Sequence, residues 1–150
     1  MTLTEEFHVS DWRSSLNSFF QESDKRDQEK QKSPFEKFIA DVAIPAFEEL
    51  LKELERHGRR VTIRESASSA VITVFDGGKE EIMYRLQERT FPDRTLPYAQ
   101  VRMRERGGLK LVTVEAMLRS GSPDYSTEDI TKEEVIESVL HHYTSRIKLR

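Results

Sequence analysis

The hydrophobic pattern is clearest in residues 33–58, where large apolar residues recur at spacings of three and four. That period puts them on one side of an α-helix. Ser33, Pro34 and Glu36 match a capping box with proline at the first helical position, and Gly58 suits the end of a helix. The interval therefore predicts a long amphipathic helix. Its apolar stripe consists of Phe35, Phe38, Ile39, Val42, Ala46, Phe47, Leu50, Leu51 and Leu54.

Pro45 interrupts this helical pattern. Proline has no backbone N–H, and its ring crowds the carbonyl group four residues earlier, which here belongs to Asp41. We therefore expect a kink near residues 42–44, or two helices that meet there.

After Gly58 the apolar period changes to two, which is typical of β-strands. The pattern predicts strands at 59–65, 70–75, 79–91, 98–106 and 109–118. Turn residues separate them at 66–68, 76–78 and 107–108, and the two prolines at 92 and 97 bound a predicted loop. Such short connections favour an antiparallel meander, which commonly buries one face and leaves the other in water.

The chain closes with a second helix pattern that begins at Thr131, where T-x-x-E with Glu134 forms another capping box. Its apolar stripe consists of Val135, Ile136, Val139, Leu140, Tyr143 and Ile147. The predicted fold is α+β, a five-stranded antiparallel meander sheet with the long helix and the shorter C-terminal helix packed on one face. Residues 33–150 are predicted to form this single domain.

Residues 1–32 are predicted to be an N-terminal helical arm. Four large apolar residues fall there at helical spacings of i, i+4, i+7 and i+8, and they are the candidate partner-binding residues: Trp12, Leu16, Phe19 and Phe20. Residues 21–32 contain no apolar side chain. Three interpretations stay open, since the stripe can fold back on the domain, dock on a second subunit or bind another protein.

The formal charge of −3 is unevenly distributed. Residues 1–58 hold 8 basic and 13 acidic side chains, residues 59–118 hold 11 and 8, and residues 119–150 hold 5 and 6. If the apolar strand positions face the helices, the opposite sheet face is basic. It would carry the candidate ligand-binding residues Arg60, Arg64, Arg85, Arg89, Tyr98, Arg102 and Arg104.

Guanidinium groups suit bidentate binding of carboxylate or phosphate, and an open basic sheet with an aromatic residue is one way to hold single-stranded nucleic acid. The same arginines also suit a solvated face, a face that pairs internally through Glu80, Glu88 or Glu105, or a protein contact. One tyrosine is fewer than the two or three aromatic residues of typical nucleic-acid-binding sheets. Nucleic acid is therefore the weaker alternative.

Catalytic signals are weak. The absence of cysteine excludes a cysteine nucleophile, a thiolate metal site and a disulfide scaffold. Glu137 and His141 have i, i+4 spacing but no further ligand pattern, and the serines of residues 119–125 match no nucleophile motif. We expect no cofactor and no metal site, and an enzyme is the least favoured class.

The sequence thus predicts a non-enzymatic protein-interaction module that forms a homodimer. The alternative is binding of an anionic ligand or single-stranded nucleic acid on the arginine face. The start of the chain lacks the basic and apolar regions of a secretory signal, and no stretch is apolar enough for a membrane span. We therefore expect a cytoplasmic protein without membrane contact.

Overall fold

The computed structural model describes residues 12–21, 33–104, 110–119 and 124–148. The chain divides into two compact units, Met1–Ser33 and Pro34–Arg150. In the first unit, residues 12–21 form helix α1. The second unit has an α+β fold, as predicted from the sequence.

The long predicted helix is present in three consecutive segments. Helix α2 spans Pro34–Phe38, a π-helical turn spans Ile39–Ala43, and helix α3 spans Ile44–Arg56. In the wider turn the Ile44 N–H bonds to the carbonyl of Ile39, five residues earlier. The turn ends two residues before Pro45, which cannot donate to the carbonyl four residues before it. The expected interruption therefore takes the form of a π-helical turn.

The sheet has five antiparallel strands in the order of the sequence, which confirms the predicted meander. The strands are β1 (Arg60–Glu65), β2 (Ser69–Asp76), β3 (Lys79–Phe91), β4 (Arg94–Arg104) and β5 (Leu111–Met117). Gly77 and Gly78 connect β2 to β3 with φ angles of 59° and 82°. A two-residue hairpin turn of this type has positive φ at both positions, which glycine adopts readily. The turn predicted at residues 107–108 lies outside the described residues.

The loop predicted for residues 92–97 is wrong over most of its length. Only Pro92 and Asp93 form the turn, and β4 already begins at Arg94. Leu96 is fully buried, and Pro97 pairs with Glu88 of β3. The pairing of β4 with β5 starts one residue later, at Tyr98. Proline is tolerated in a strand where only one neighbouring strand is present.

The helices cover one face of the sheet around Tyr84, which is completely buried. Its ring meets Phe47 of α3 edge to face, with 6.1 Å between ring centroids. Its hydroxyl lies 2.6 Å from Ser138 Oγ of helix α4, which spans Lys132–Lys148. Aromatic edge-to-face pairs add to the free energy of burial, and a buried phenol requires a hydrogen-bond partner. Tyr84 therefore joins the sheet to both covering helices.

Helix α4 begins with the predicted capping box. The Glu134 N–H bonds to Thr131 Oγ1 at 3.2 Å, and the Glu134 carboxylate accepts the Thr131 N–H at 3.4 Å. Arg119 donates two hydrogen bonds of 2.8 Å to the same carboxylate and holds its pKa below the usual value. This pair connects the end of β5 to the first turn of α4. Within the described ranges, no helix is long and apolar enough to cross a membrane.

A β-bulge between Val74 and Phe75 shifts the register against β3. Val74 pairs with Ile82 and Phe75 pairs with Glu80, so Glu81 is an additional residue on β3. Bulges redirect side chains, and the carboxylate of Glu81 points to the helix side. It accepts a hydrogen bond of 2.7 Å from the Tyr143 hydroxyl of α4 and one of 3.0 Å from Arg59 Nε.

Removal of the Tyr143 hydroxyl tests this connection. Glu81 is only 7% exposed, so its carboxylate must accept hydrogen bonds from protein groups where water cannot reach it. Hydrogen bonds to buried charges contribute about 1.5–3 kcal/mol. We expect Tyr143→Phe to lower the free energy of unfolding in urea by about 2 kcal/mol. Tyr98→Phe is the control, because the Tyr98 hydroxyl bonds to the neutral Gln87. Equal losses in the two variants would contradict the role of Glu81.

His142 predicts a pH dependence of stability. Partial burial lowers the pKa of this imidazole, and the neighbouring His141 lowers it further. A group with a lowered folded pKa releases its proton on folding, so its contribution to stability is complete above the unfolded pKa of about 6.5. The contribution is lost as the pH falls below that value. We expect His142→Gln to flatten the decrease in Tm between about pH 7 and pH 5, as measured by thermal unfolding across that range.

Candidate functional site

The outer face is the side of the sheet that points away from α3 and α4. Strand register sets its rows, because partner residues on adjacent antiparallel strands share a face. One row runs from Arg64 through Val71, Arg85 and Gln100 to Glu115. The predicted alternation is present, since Ile82, Tyr84, Leu86, Ala99 and Val101 are fully buried on the other side. The face therefore gathers arginines from β1, β3 and β4.

Arg102 and Arg104 both bind Glu80, the residue before Glu81 of the bulge. Arg102 donates two hydrogen bonds of 2.7 Å to the Glu80 carboxylate, and this contact raises its pKa. Arg104 Nε donates to the Glu80 carbonyl at 3.0 Å. Bidentate arginine–carboxylate pairs are strong and directional. Both guanidinium groups are therefore partly engaged within the chain, through one of the acidic residues that the sequence offered as a partner.

Arg89 is engaged as well. It pairs with Glu115 of β5, and its guanidinium lies 4.4 Å from the ring centroid of Tyr98. The Tyr98 hydroxyl donates to Gln87 at 2.6 Å. A ring that is already covered by a guanidinium is a poor platform for a stacked base. The geometry thus weakens the interpretation of Tyr98 as a nucleic-acid contact.

The remaining three arginines lie toward the β1 side of the outer face. Arg60 covers the ring of Phe75 at 4.3 Å, while Arg64 and Arg85 have no carboxylate partner within the described parts of the chain. Val71 stands between Arg64 and Arg85 in the row and is only 8% exposed. Long arginine side chains commonly lay their aliphatic stems over apolar neighbours. This corner offers guanidinium groups to an external anion.

The α1 stripe, which consists of Trp12, Leu16, Phe19 and Phe20, is exposed. The exposed fractions are 48% for Trp12, 38% for Leu16, 63% for Phe19 and 53% for Phe20. Phe19 and Phe20 meet edge to face at 5.6 Å, and Arg13 lies 5.9 Å from the ring of Trp12. Contiguous exposed apolar side chains of this size mark interaction surfaces in soluble proteins.

A groove between α3 and α4 is a further candidate that sequence reasoning missed. It encloses about 590 Å³ and is lined by Glu49, Leu50, Lys52, Glu53, Leu54, His57, Ile136 and Leu140. Leu140 stays exposed at its edge. The sequence places Leu54 and Leu140 on two separate apolar stripes. It contains no signal for the gap between them, because the gap depends on how the two helices pack.

Among the described residues, no three His, Cys, Asp or Glu side chains lie close enough together to hold a metal ion. His141 contacts the His142 ring instead, at 5.3 Å between centroids. Residues 120–123 of the serine-containing turn lie outside the described ranges. At its ends, Arg119 lies 5.0 Å from the ring of Tyr125 and bonds to Glu134.

Comparison with protein-family models, with curated proteins and with solved structures finds no match for this chain.

Proposed function

We propose that the chain is a non-enzymatic protein-interaction module that forms a homodimer and buries the α1 stripe against the second copy. The exposure of Trp12, Leu16, Phe19 and Phe20 carries the proposal. Burial of each such side chain contributes about 1.5–3 kcal/mol. Much of this free energy is unrealised while roughly half of each side chain faces water.

Helix physics supports the same conclusion. Most of the stability of a protein helix comes from packing of its apolar face against another surface. Within the described residues 12–21 of α1, Ser14, Ser18 and Gln21 form the polar side. A contact with the stripe would therefore stabilise both the helix and the association.

The composition of the outer face also supports a protein contact. Its arginines alternate with apolar side chains such as Val71, Phe75 and Met83, and Arg89 and Arg102 are already paired with carboxylates. Arginine and aromatic residues are enriched in protein–protein interfaces. The paired carboxylates lower the net positive charge that nucleic acid would require.

Substitution of Phe19 tests the homodimer. Phe19→Asp places a charge within the stripe, where burial of an unpaired carboxylate is costly. We expect size-exclusion chromatography with light scattering to show a dimer for the unsubstituted chain and at least tenfold weaker association for the variant. Ser18→Asp is the matched control, since it adds the same charge to the polar side of α1 and should leave the dimer intact.

Trp12 provides a second measurement, because it is the single tryptophan of the chain. Its fluorescence emission should shift to shorter wavelength as the protein concentration rises through the range of association, and Phe19→Asp should remove the shift. A monomer at all concentrations up to about 100 µM, on the order of the weak specific associations of proteins, would overturn the proposal. So would equal effects of Phe19→Asp and Ser18→Asp.

A second candidate function is binding of an anionic ligand at the β1 side of the outer face. Arg64 and Arg85 favour it, because neither has a carboxylate partner in the described parts of the chain. Both lie in one row, on strands that are separated only by β2. Two strand spacings place their Cα atoms about 10 Å from each other. Phosphate or carboxylate groups would bridge the two guanidinium groups.

Charge reversal distinguishes this function from the first. With a short single-stranded oligonucleotide as the probe, Arg85→Glu should weaken binding and reduce the slope of log K against log salt by about one. Arg102→Glu is the comparison at a guanidinium that already binds Glu80, and it should have the smaller effect. No retention of the unsubstituted protein on the oligonucleotide at about 50 mM salt would remove this candidate.

A further inference from the structure

Strand β5 is the last strand of the sheet, and no described residue pairs with its outer edge. It pairs with β4 on one side, and on its other side no described segment continues the sheet. The side chains that it turns to the helix face, Val112, Val114 and Ala116, are only half-buried. Leu111 at its start is 42% exposed. Both its outward backbone groups and part of its apolar surface therefore lack cover within the described ranges.

The opposite edge of the sheet is protected. Strand β1 carries Arg60, Arg64 and Glu65, and helix α3 packs against it. Charged side chains and covering helices are the usual means by which proteins prevent edge-to-edge pairing. The seven residues of β5, LVTVEAM, contain one charge and neither proline nor glycine. The two edges of one sheet thus differ in the features that decide whether a strand is added.

The single charge of β5 does not guard its edge. The Glu115 carboxylate pairs with Arg89 of β3, so it is drawn toward the middle of the sheet and away from the edge. The sequence of β5 is rich in β-branched residues and low in charge, which favours pairing with another strand. An edge of this kind either causes aggregation or has a specific partner.

The exposed apolar area on α1 also indicates that the proposed dimer needs a second contact surface. Three aromatic side chains and one leucine, each about half exposed, offer on the order of 400 Å² per copy. Specific dimers typically bury about 800 Å² on each partner. The stripe alone therefore falls short of a stable dimer interface, and a second surface must contribute.

We propose that β5 pairs antiparallel with β5 of a second copy across a twofold axis at Val114. Two five-stranded sheets then form one continuous ten-stranded sheet with α3 and α4 of both copies on the same side. Such isologous contacts are self-complementary, as a twofold dimer requires. In this register Val114 faces its own symmetry mate, and Thr113 lies beside Glu115 of the second copy. The β5 pairing presupposes the proposed homodimer and identifies the core of its interface.

Single cysteines test the pairing directly, because the chain contains none of its own. Residues opposite each other on antiparallel strands have Cα atoms about 4.5–5.5 Å apart, which lies in the range of disulfides. We expect Val114→Cys to form a covalent dimer under mild oxidation, and no disulfide from Val112→Cys or Ala116→Cys, because each of these lies about 14 Å from its symmetry mate. Ile63→Cys, in the middle of β1, is the matched control and should stay monomeric on a non-reducing gel.

Charge at Thr113 provides an independent test of the register. Thr113→Glu places a carboxylate beside Arg102 of its own sheet, which favours folding, but opposite Glu115 of the second copy. Two such like-charged pairs across the axis should weaken the dimer roughly tenfold in a dilution series followed by light scattering. Thr113→Lys should keep the dimer, because the introduced ammonium group would lie opposite the Glu115 carboxylate of the second copy. Thr62→Glu on β1 should have no effect.

The outcomes separate this pairing from the role of α1. A dimer that Phe19→Asp dissociates but that no cysteine at 112–116 cross-links would overturn the β5 pairing and leave the proposed function in place. Cross-linking at Val114→Cys together with an unaffected Phe19→Asp dimer would support the β5 pairing and overturn the role of the α1 stripe. A monomeric unsubstituted chain would overturn both.

Discussion

Coverage of one face of the sheet is the constraint on which the rest of the structure depends. Tyr84 shows its physical basis, because this fully buried residue contacts Phe47 of α3 with its ring and Ser138 of α4 with its hydroxyl. Burial of apolar area drives the helices onto the sheet, and the phenol must find a partner once water is excluded. The two helices therefore have little freedom in position, and the polar side of each strand faces away from them.

The bulge next to Phe75 divides adjacent acidic residues between the two faces. Glu81 turns to the helices and meets Arg59 and Tyr143, whereas Glu80 stays on the outer face and binds Arg102. One additional residue in β3 thus supplies a buried carboxylate to the core and a neutralising carboxylate to the outer face. As a result the outer face is less basic than its arginine content indicates.

Much of the fold could be predicted from the chain. The capping box at Thr131, the paired glycines at 77 and 78 and the alternation of β3 act through neighbours within a few residues, so the sequence displays them. The error at residues 92–97 has the same origin. Two prolines indicate a loop locally, yet the pairing of Pro97 with Glu88 on β3 overrides that preference.

The same distinction between local pattern and tertiary contact applies to the candidate surfaces. The sequence by itself determined that Trp12 and Phe19 share one side of a helix and that the arginines share one face of a sheet, because both follow from the backbone period. Only the tertiary structure decided which arginines are engaged, which edge is guarded and where a groove forms. Those properties depend on residues such as Arg89 and Glu115, which are 26 positions apart in the chain and meet only when β4 lies between their strands.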